Sequence, residues 1–193
     1  MTGDAPCPAS CHGLFVAVVG ASGAGKDSIL SGARAQLEHR RHIHFIRRVI
    51  TRPADPHGED HVVATADMFA SMRDAGRFAL HWHAHGLHYG IARTAFDLVR
   101  AGDIAVANVS RGVLADLATA ELPHLVVEIS TDPAILAARL AARGRETAGD
   151  IRARLERAAP IPPGLNLHRI ANNGALDEAV AAFVALLEPT TLR

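Results

Sequence analysis

Gly20-Ala21-Ser22-Gly23-Ala24-Gly25-Lys26-Asp27-Ser28 follows the apolar run Leu14-Phe15-Val16-Ala17-Val18-Val19 and leads into a helical pattern. Strand, glycine-rich loop and helix in that order form a phosphate-binding loop. Backbone N–H groups must turn inward around a polyphosphate, and a Cβ at Gly20, Gly23 or Gly25 would hinder that approach. A helix starting near Gly25 adds the positive end of its dipole, and Lys26 supplies a mobile cation for the outer phosphates. The spacing G-x-x-x-x-G-K is met. The next residue departs from the usual pattern: Asp27 stands where Ser or Thr reaches a magnesium ion, and Ser28 comes one step later. The stretch points to a nucleoside-triphosphate site.

With 193 residues, 49% of them hydrophobic, the chain suffices for one well-buried core and is too short for two full-sized domains. Twenty basic and twenty acidic residues cancel, which argues against a broad basic face for nucleic acid, so any anion site is local. Cys7 and Cys11 sit four apart among Pro, Ser and Gly, a poor disulfide framework, and read as free thiols in a reducing compartment. The first apolar run is far too short for a membrane span, and no signal peptide is visible. The expectation is a cytoplasmic protein with no membrane partner.

Residues 1–13 read as a flexible tail. After the loop, Ile29, Leu30, Ala33 and Leu37 continue a helical stripe, and residues 42–50 read as a second strand. From Pro53 to His61 the pattern dissolves into Pro, Asp, Gly and His. Residues 66–75 suggest a short helix, 77–89 an irregular stranded segment and 96–100 a helix closed by Gly102. Strands are expected at 104–107, 125–129 and 167–171. Helices are expected at 113–119, 133–143, 151–159 and 176–187. Strands alternating with helices give a layered α/β fold with a central parallel sheet.

The loop at 20–28, Ile50-Thr51-Arg52-Pro53, Gly58-Glu59, His85-Gly86-Leu87-His88-Tyr89-Gly90 and Arg143-Gly144-Arg145 together resemble the guanylate-kinase-like branch of P-loop kinases, over nearly the whole chain after residue 13. Within that branch the chain is most similar to the ribose 1,5-bisphosphate phosphokinases of phosphonate breakdown. The closer likeness is carried by Gly25-Lys26-Asp27-Ser28, Trp82-His83-Ala84-His85-Gly86-Leu87, Asn108-Val109-Ser110-Arg111, and Arg143-Gly144-Arg145-Glu146 followed by Ile151-Arg152-Ala153-Arg154-Leu155. The resemblance implies a P-loop three-layer sandwich over 14–193, with an acceptor-binding insertion at about 52–92 and a lid at about 143–150. It also implies ATP as donor, Mg2+, and 5-phosphoribosyl 1-diphosphate as product. Guanylate kinases read guanine with a glutamate where this chain has His81, and a neutral imidazole accepts one N–H bond where a carboxylate accepts two. Their second acceptor arginine is here Asp55, and carboxylates after the third core strand are here Asn108 and Ser110. A pocket without its base-reading acid fits a sugar phosphate.

On this resemblance Lys26 holds the outer phosphates, Arg143 and Arg145 close over the transferring group, and Arg154 joins them; an exposed helical face with ordinary surface charge is the plainer account of these arginines. Residues 20–28 and Asn172 are assigned to ATP. Arg52, Arg48, His81, Tyr89, Asn108 and Arg111 are assigned to the acceptor, with simple packing as the alternative for Tyr89. Asn172-Asn173-Gly174 resembles an adenine-side loop whose amide pairs with the base edge, and an Asn-Gly turn explains it equally well. Asp27 and Ser28 are the expected magnesium residues. Asp27 restores the negative charge that Asn108 lacks, or simply suits the first turn of a helix. His81, His83, His85 and His88 lack a carboxylate or cysteine companion, so they suit a sugar or its phosphate better than zinc. A homodimer is compatible with the sequence. The competing expectations are a guanylate or other nucleoside monophosphate kinase, and a non-catalytic guanylate-kinase-like binding module; the intact Lys26 loop argues against the latter.

Overall fold

Val16 to Val19 are apolar on both faces, and both faces are buried in the computed structural model, which describes residues 13–54, 59–142 and 160–188. Their strand, β1 (Leu14–Gly20), lies at the middle of a five-stranded sheet. Its neighbours are β7 (Ile104–Asn108) on one side and β8 (His124–Ser130) on the other, with β2 (Ile43–Phe45) and β9 (Leu167–Ala171) at the edges. All four pairings are parallel. Parallel pairing requires crossovers, and the helices that make them cover both faces.

Alternation along β1 divides the core. Val16 and Val18 face α1 (Lys26–Gln36) and α6 (Leu176–Leu187), where Ile29, Ala33, Val180 and Phe183 are buried. Phe15, Ala17 and Val19 face α3 (Thr94–Arg100) and α4 (Leu114–Thr119), and the Phe15 and Phe96 rings meet edge to face at 5.1 Å. Each fully buried aliphatic or aromatic side chain contributes roughly 1.5–3 kcal/mol. Helix α5 (Pro133–Ala142) follows β8.

A second, four-stranded sheet carries the order β4-β3-β6-β5, from β3 (Val49–Ile50), β4 (Val62–Val63), β5 (Phe78–Ala84) and β6 (Leu87–Ala92). The expected single strand at 42–50 is therefore two strands in different sheets. Ile46 N–H still bonds Val106 O at 2.8 Å, and Arg47-Arg48 then carries the chain across to β3. The irregular stranded segment expected at 77–89 is most of a hairpin, with a register shift between Phe78 and Leu80, turned by His85 and Gly86 at φ 53° and 73°. Helix α2 (Ala66–Asp74), capped by Thr65 Oγ1 accepting from Met68 N–H, covers one face of this sheet through Phe69, which stacks on Phe78 at 4.5 Å. The tail through residue 12, Asp55 and Gly58, the lid at 143–150 and the helix expected at 151–159 lie outside the described residues.

Candidate active site

The loop leaves β1 at the carboxyl edge of the large sheet, where α/β folds place their ligands. A Cβ on Gly20 would stand 2.4 Å from the Ile129 carbonyl oxygen, so only glycine lets the loop start this close to β8. Gly25 has φ 90°, a left-handed conformation from which Lys26 opens α1. Lys26 Nζ folds back over the loop and donates to the carbonyls of Gly20 at 2.9 Å and Ala21 at 3.0 Å. Burial lowers its pKa from 10.5 to about 8, with the guanidinium charges of Arg48 and Arg111 adding to the fall and Asp27 and Glu59 opposing it. Two guanidinium groups and two carboxylates thus act on one desolvated ammonium.

Asp27 and Ser28 occupy the first turn of α1 and are both exposed. Asn108, at the end of β7 and buried, donates its Nδ2 to Asp27 Oδ1 at 2.8 Å. The usual polarity is thereby exchanged, with the carboxylate on the helix and the uncharged donor on the strand. One carboxylate and a hydroxyl are the hard oxygen ligands that suit Mg2+ shared with substrate phosphates. The donor set fits that ion.

Across the cleft, Arg48 precedes β3 and its guanidinium lies 5.2 Å from the centre of the Tyr89 ring. Tyr89 in turn stacks on Trp82 at 5.4 Å with the rings 5° apart. Arg48 Nε donates to Glu59 Oε1 at 2.6 Å and its Nη2 donates to Glu59 Oε2, a bidentate fork that fixes the plane of the guanidinium. His61, buried, places Nδ1 2.8 Å from the Glu59 carbonyl and Nε2 3.0 Å from the Arg52 carbonyl, closing the excursion between them. Arg111, in a 3-10 turn after β7, donates Nη2 to Glu128 Oε1 at 2.8 Å, and Arg169 Nε donates to the other carboxylate oxygen at 2.9 Å. The Nε atoms of Arg52 and Arg111 are buried with no hydrogen-bond partner among the described residues.

Lys26, Asp27, Asn108, Arg48, Arg111 and Tyr89 are thus brought to one cleft, and Arg52 is tied to it through His61. His81 is not brought there. It pairs with Gly90 and lies 6.3 Å from the Phe78 ring, on the side of the hairpin that α2 covers, whereas Trp82 and Tyr89 share the opposite side. His83 and His88 pair across the strands on His81's side at 4.9 Å. Among the described residues no three His, Cys, Asp or Glu side chains converge to hold a metal. Asn172 is 3% exposed, lies beneath the loop, and its Nδ2 donates to the Ala24 carbonyl at 2.8 Å. Arg143, Arg145 and Arg154 lie outside the described residues. Sequence reasoning left Glu59, His61 and Glu128 without roles. For Glu128 a signal existed: a carboxylate interrupting Leu125-Val126-Val127-Glu128-Ile129, an otherwise apolar buried strand, needs a cation partner.

No protein-family profile matches the chain. A protein of Acidiphilium cryptum named ribose 1,5-bisphosphate phosphokinase PhnN is 50% identical over 176 residues, covering 91% of this chain and 92% of the relative. A bifunctional ribose 1,5-bisphosphokinase-thymidine phosphorylase of Azorhizobium caulinodans is 45% identical over 183 residues, 94% of this chain, which spans only 26% of that relative's length. Among solved structures, the guanylate kinase of Anaplasma phagocytophilum superposes with a TM-score of 0.67 at 15% identity, covering 95% of this chain and 89% of that one. The likeness in structure bears on the fold, and the likeness in sequence on the family.

Proposed function

This chain belongs to the ribose 1,5-bisphosphate phosphokinase family, and we propose that it moves the terminal phosphoryl group of ATP onto the 1-phosphate of ribose 1,5-bisphosphate. The product is 5-phospho-α-D-ribose 1-diphosphate, made in the cytoplasm during phosphonate breakdown. The observation that carries the reading is the gathering of Arg48 and Arg111 about Lys26, an ammonium that burial depresses first and the two guanidinium charges depress further. Such an excess of positive charge suits two reactants that are both phosphate esters. The hairpin position that carries the guanine-reading acid in guanylate kinases is here His81, exposed on the Phe78 side of the hairpin and away from Trp82 and Tyr89.

The attacking atom is an oxygen of the acceptor's 1-phosphate. It is anionic near neutral pH, so no general base is required, and the bond formed to the γ-phosphorus replaces the bond broken to the β,γ-bridging oxygen. Catalysis then rests on positioning and on charge stabilisation. Lys26 leaves the carbonyls of Gly20 and Ala21 to hold the donor's outer phosphates. Arg48, over the Tyr89 ring and forked to Glu59, and Arg52, whose Nε has no partner among the described residues, grip the acceptor. Arg111 lies between the two reactants, held from behind by Glu128. Arg143 and Arg145 are assigned to closing over the transferring group. Asp27 and Ser28 would hold Mg2+, with Asn108 orienting the Asp27 carboxylate; the ion, when bound, neutralises charge on the donor's phosphates. The test is 31P NMR of the purified protein with ATP, Mg2+ and ribose 1,5-bisphosphate. A new pair of coupled diphosphate signals on the sugar is expected, and ADP formation without them would refute the assignment.

A further inference from the structure

The Ala24-Gly25 peptide is gripped from the far end of the sheet. Asn172, the residue after β9, donates Nδ2 to Ala24 O at 2.8 Å, and Thr131, just after β8, reaches the same oxygen through Oγ1 at 3.4 Å. The amide orientation is set by chemistry, because the reverse would bring two acceptor oxygens together. Asn172 Oδ1 is buried with no partner among the described residues, so within them the side chain is held for its donor alone. The amide also fills the place of a side chain at position 25: a Cβ built on Gly25 would stand 2.4 Å from Asn172 Nδ2. None of the peptide bonds described is cis. In a trans peptide the carbonyl oxygen and the next N–H point opposite ways. Drawing the Ala24 oxygen toward β9 therefore turns the Gly25 N–H away from it.

We propose that Asn172 is a positioning residue that brackets the phosphate loop and aims the Gly25 N–H at the donor's phosphates, and that it does not read the adenine base. Provided that the loop holds the donor's phosphates, as proposed above, a brace of this kind acts on any polyphosphate. A base-reading amide acts only on ligands that carry the base. The two roles separate when ATP is compared with inorganic tripolyphosphate, which has the phosphates and no base.

The experiment is titration calorimetry of both ligands against the full chain and its Asn172→Leu variant, which nearly keeps the shape and removes the donor without adding a charge. Both affinities are expected to fall by the same factor, roughly five- to tenfold, the worth of one hydrogen bond. Loss of ATP affinity with tripolyphosphate unchanged would overturn the inference in favour of base reading, and no loss in either would overturn it outright. Should Asn172→Leu fail to fold, Thr131→Val removes the longer of the two contacts. It is expected to give a smaller but again equal loss for both ligands, and an unequal loss or none would overturn the inference. No acceptor is present in the cell, so the outcome is independent of the sugar assignment.

Discussion

Lys26 is the only lysine in the chain, and on the proposed function its titration governs donor binding. Burial holds its pKa at about 8 in the free protein, against 10.5 for an ordinary lysine. A triphosphate at Nζ favours the charged form and raises the pKa again, so binding takes up a proton wherever the free group has lost it. Affinity should be flat below neutrality and fall by about tenfold per pH unit above the free pKa. Between about pH 7 and about pH 9.5 the protonated fraction drops from roughly nine-tenths to about 3%, a loss of ~30-fold, whereas a lysine at its ordinary value would lose only about a tenth. Stability runs the other way. The folded chain binds fewer protons than the unfolded one between about 8 and 10.5, so the free protein gains stability as pH rises through that window. Calorimetry in two buffers of different ionisation enthalpy measures both the affinity and the proton uptake. Because no second lysine competes, pH-dependent acylation followed by mass spectrometry reports the free titration directly. An ATP affinity that changes by less than about twofold across this range, with no proton uptake, would refute the electrostatic account of the cleft.

Three further outcomes are expected. Asp27→Ser should weaken Mn2+ binding to the ADP-loaded protein roughly tenfold, as read by electron paramagnetic resonance, a scale typical of lost metal-site support; unchanged Mn2+ affinity would remove Asp27 from the metal site. Arg48→Ala should lower kcat/KM for ribose 1,5-bisphosphate roughly a hundredfold, leaving ATP affinity within about twofold; an equal effect on both substrates would mean that Arg48 serves the donor. Phe183→Ala empties a fully buried site between α1 and the large sheet and should cost about 3–5 kcal/mol in urea unfolding, with a cost under 1 kcal/mol contradicting the packing described.

The phosphate loop and the large sheet were legible because each carries a strong local signal. Leu14 to Val19 are apolar at every position, as a strand buried on both faces must be, and the three glycines stand where the backbone turns or touches β8. The second sheet was not legible. Strands β3 and β4 are two residues each, too short to show a period, and both side chains of β4 are exposed. The turn at His85-Gly86 lacks the Asn or Asp that usually announces a hairpin of this kind. The direction of His81 depends on the register shift between Phe78 and Leu80, which no count of alternating residues reveals. Asn172 was assigned to the nucleotide from its place in the chain, yet which side of the loop its amide serves depends on the approach of β9 to Gly25. The arginines were recognisable as a group, but the partners Glu59 and Glu128 that orient two of them come from distant segments and are fixed only by the fold.

The central claim is that this cleft takes a phosphorylated sugar and not a purine nucleotide. The direct measurement offers the purified protein ribose 1,5-bisphosphate or GMP in parallel, with the same ATP and magnesium, and follows product by chromatography. The account predicts 5-phosphoribosyl 1-diphosphate in the first and little GDP in the second. Efficient GDP formation, with the sugar left unphosphorylated, would contradict it.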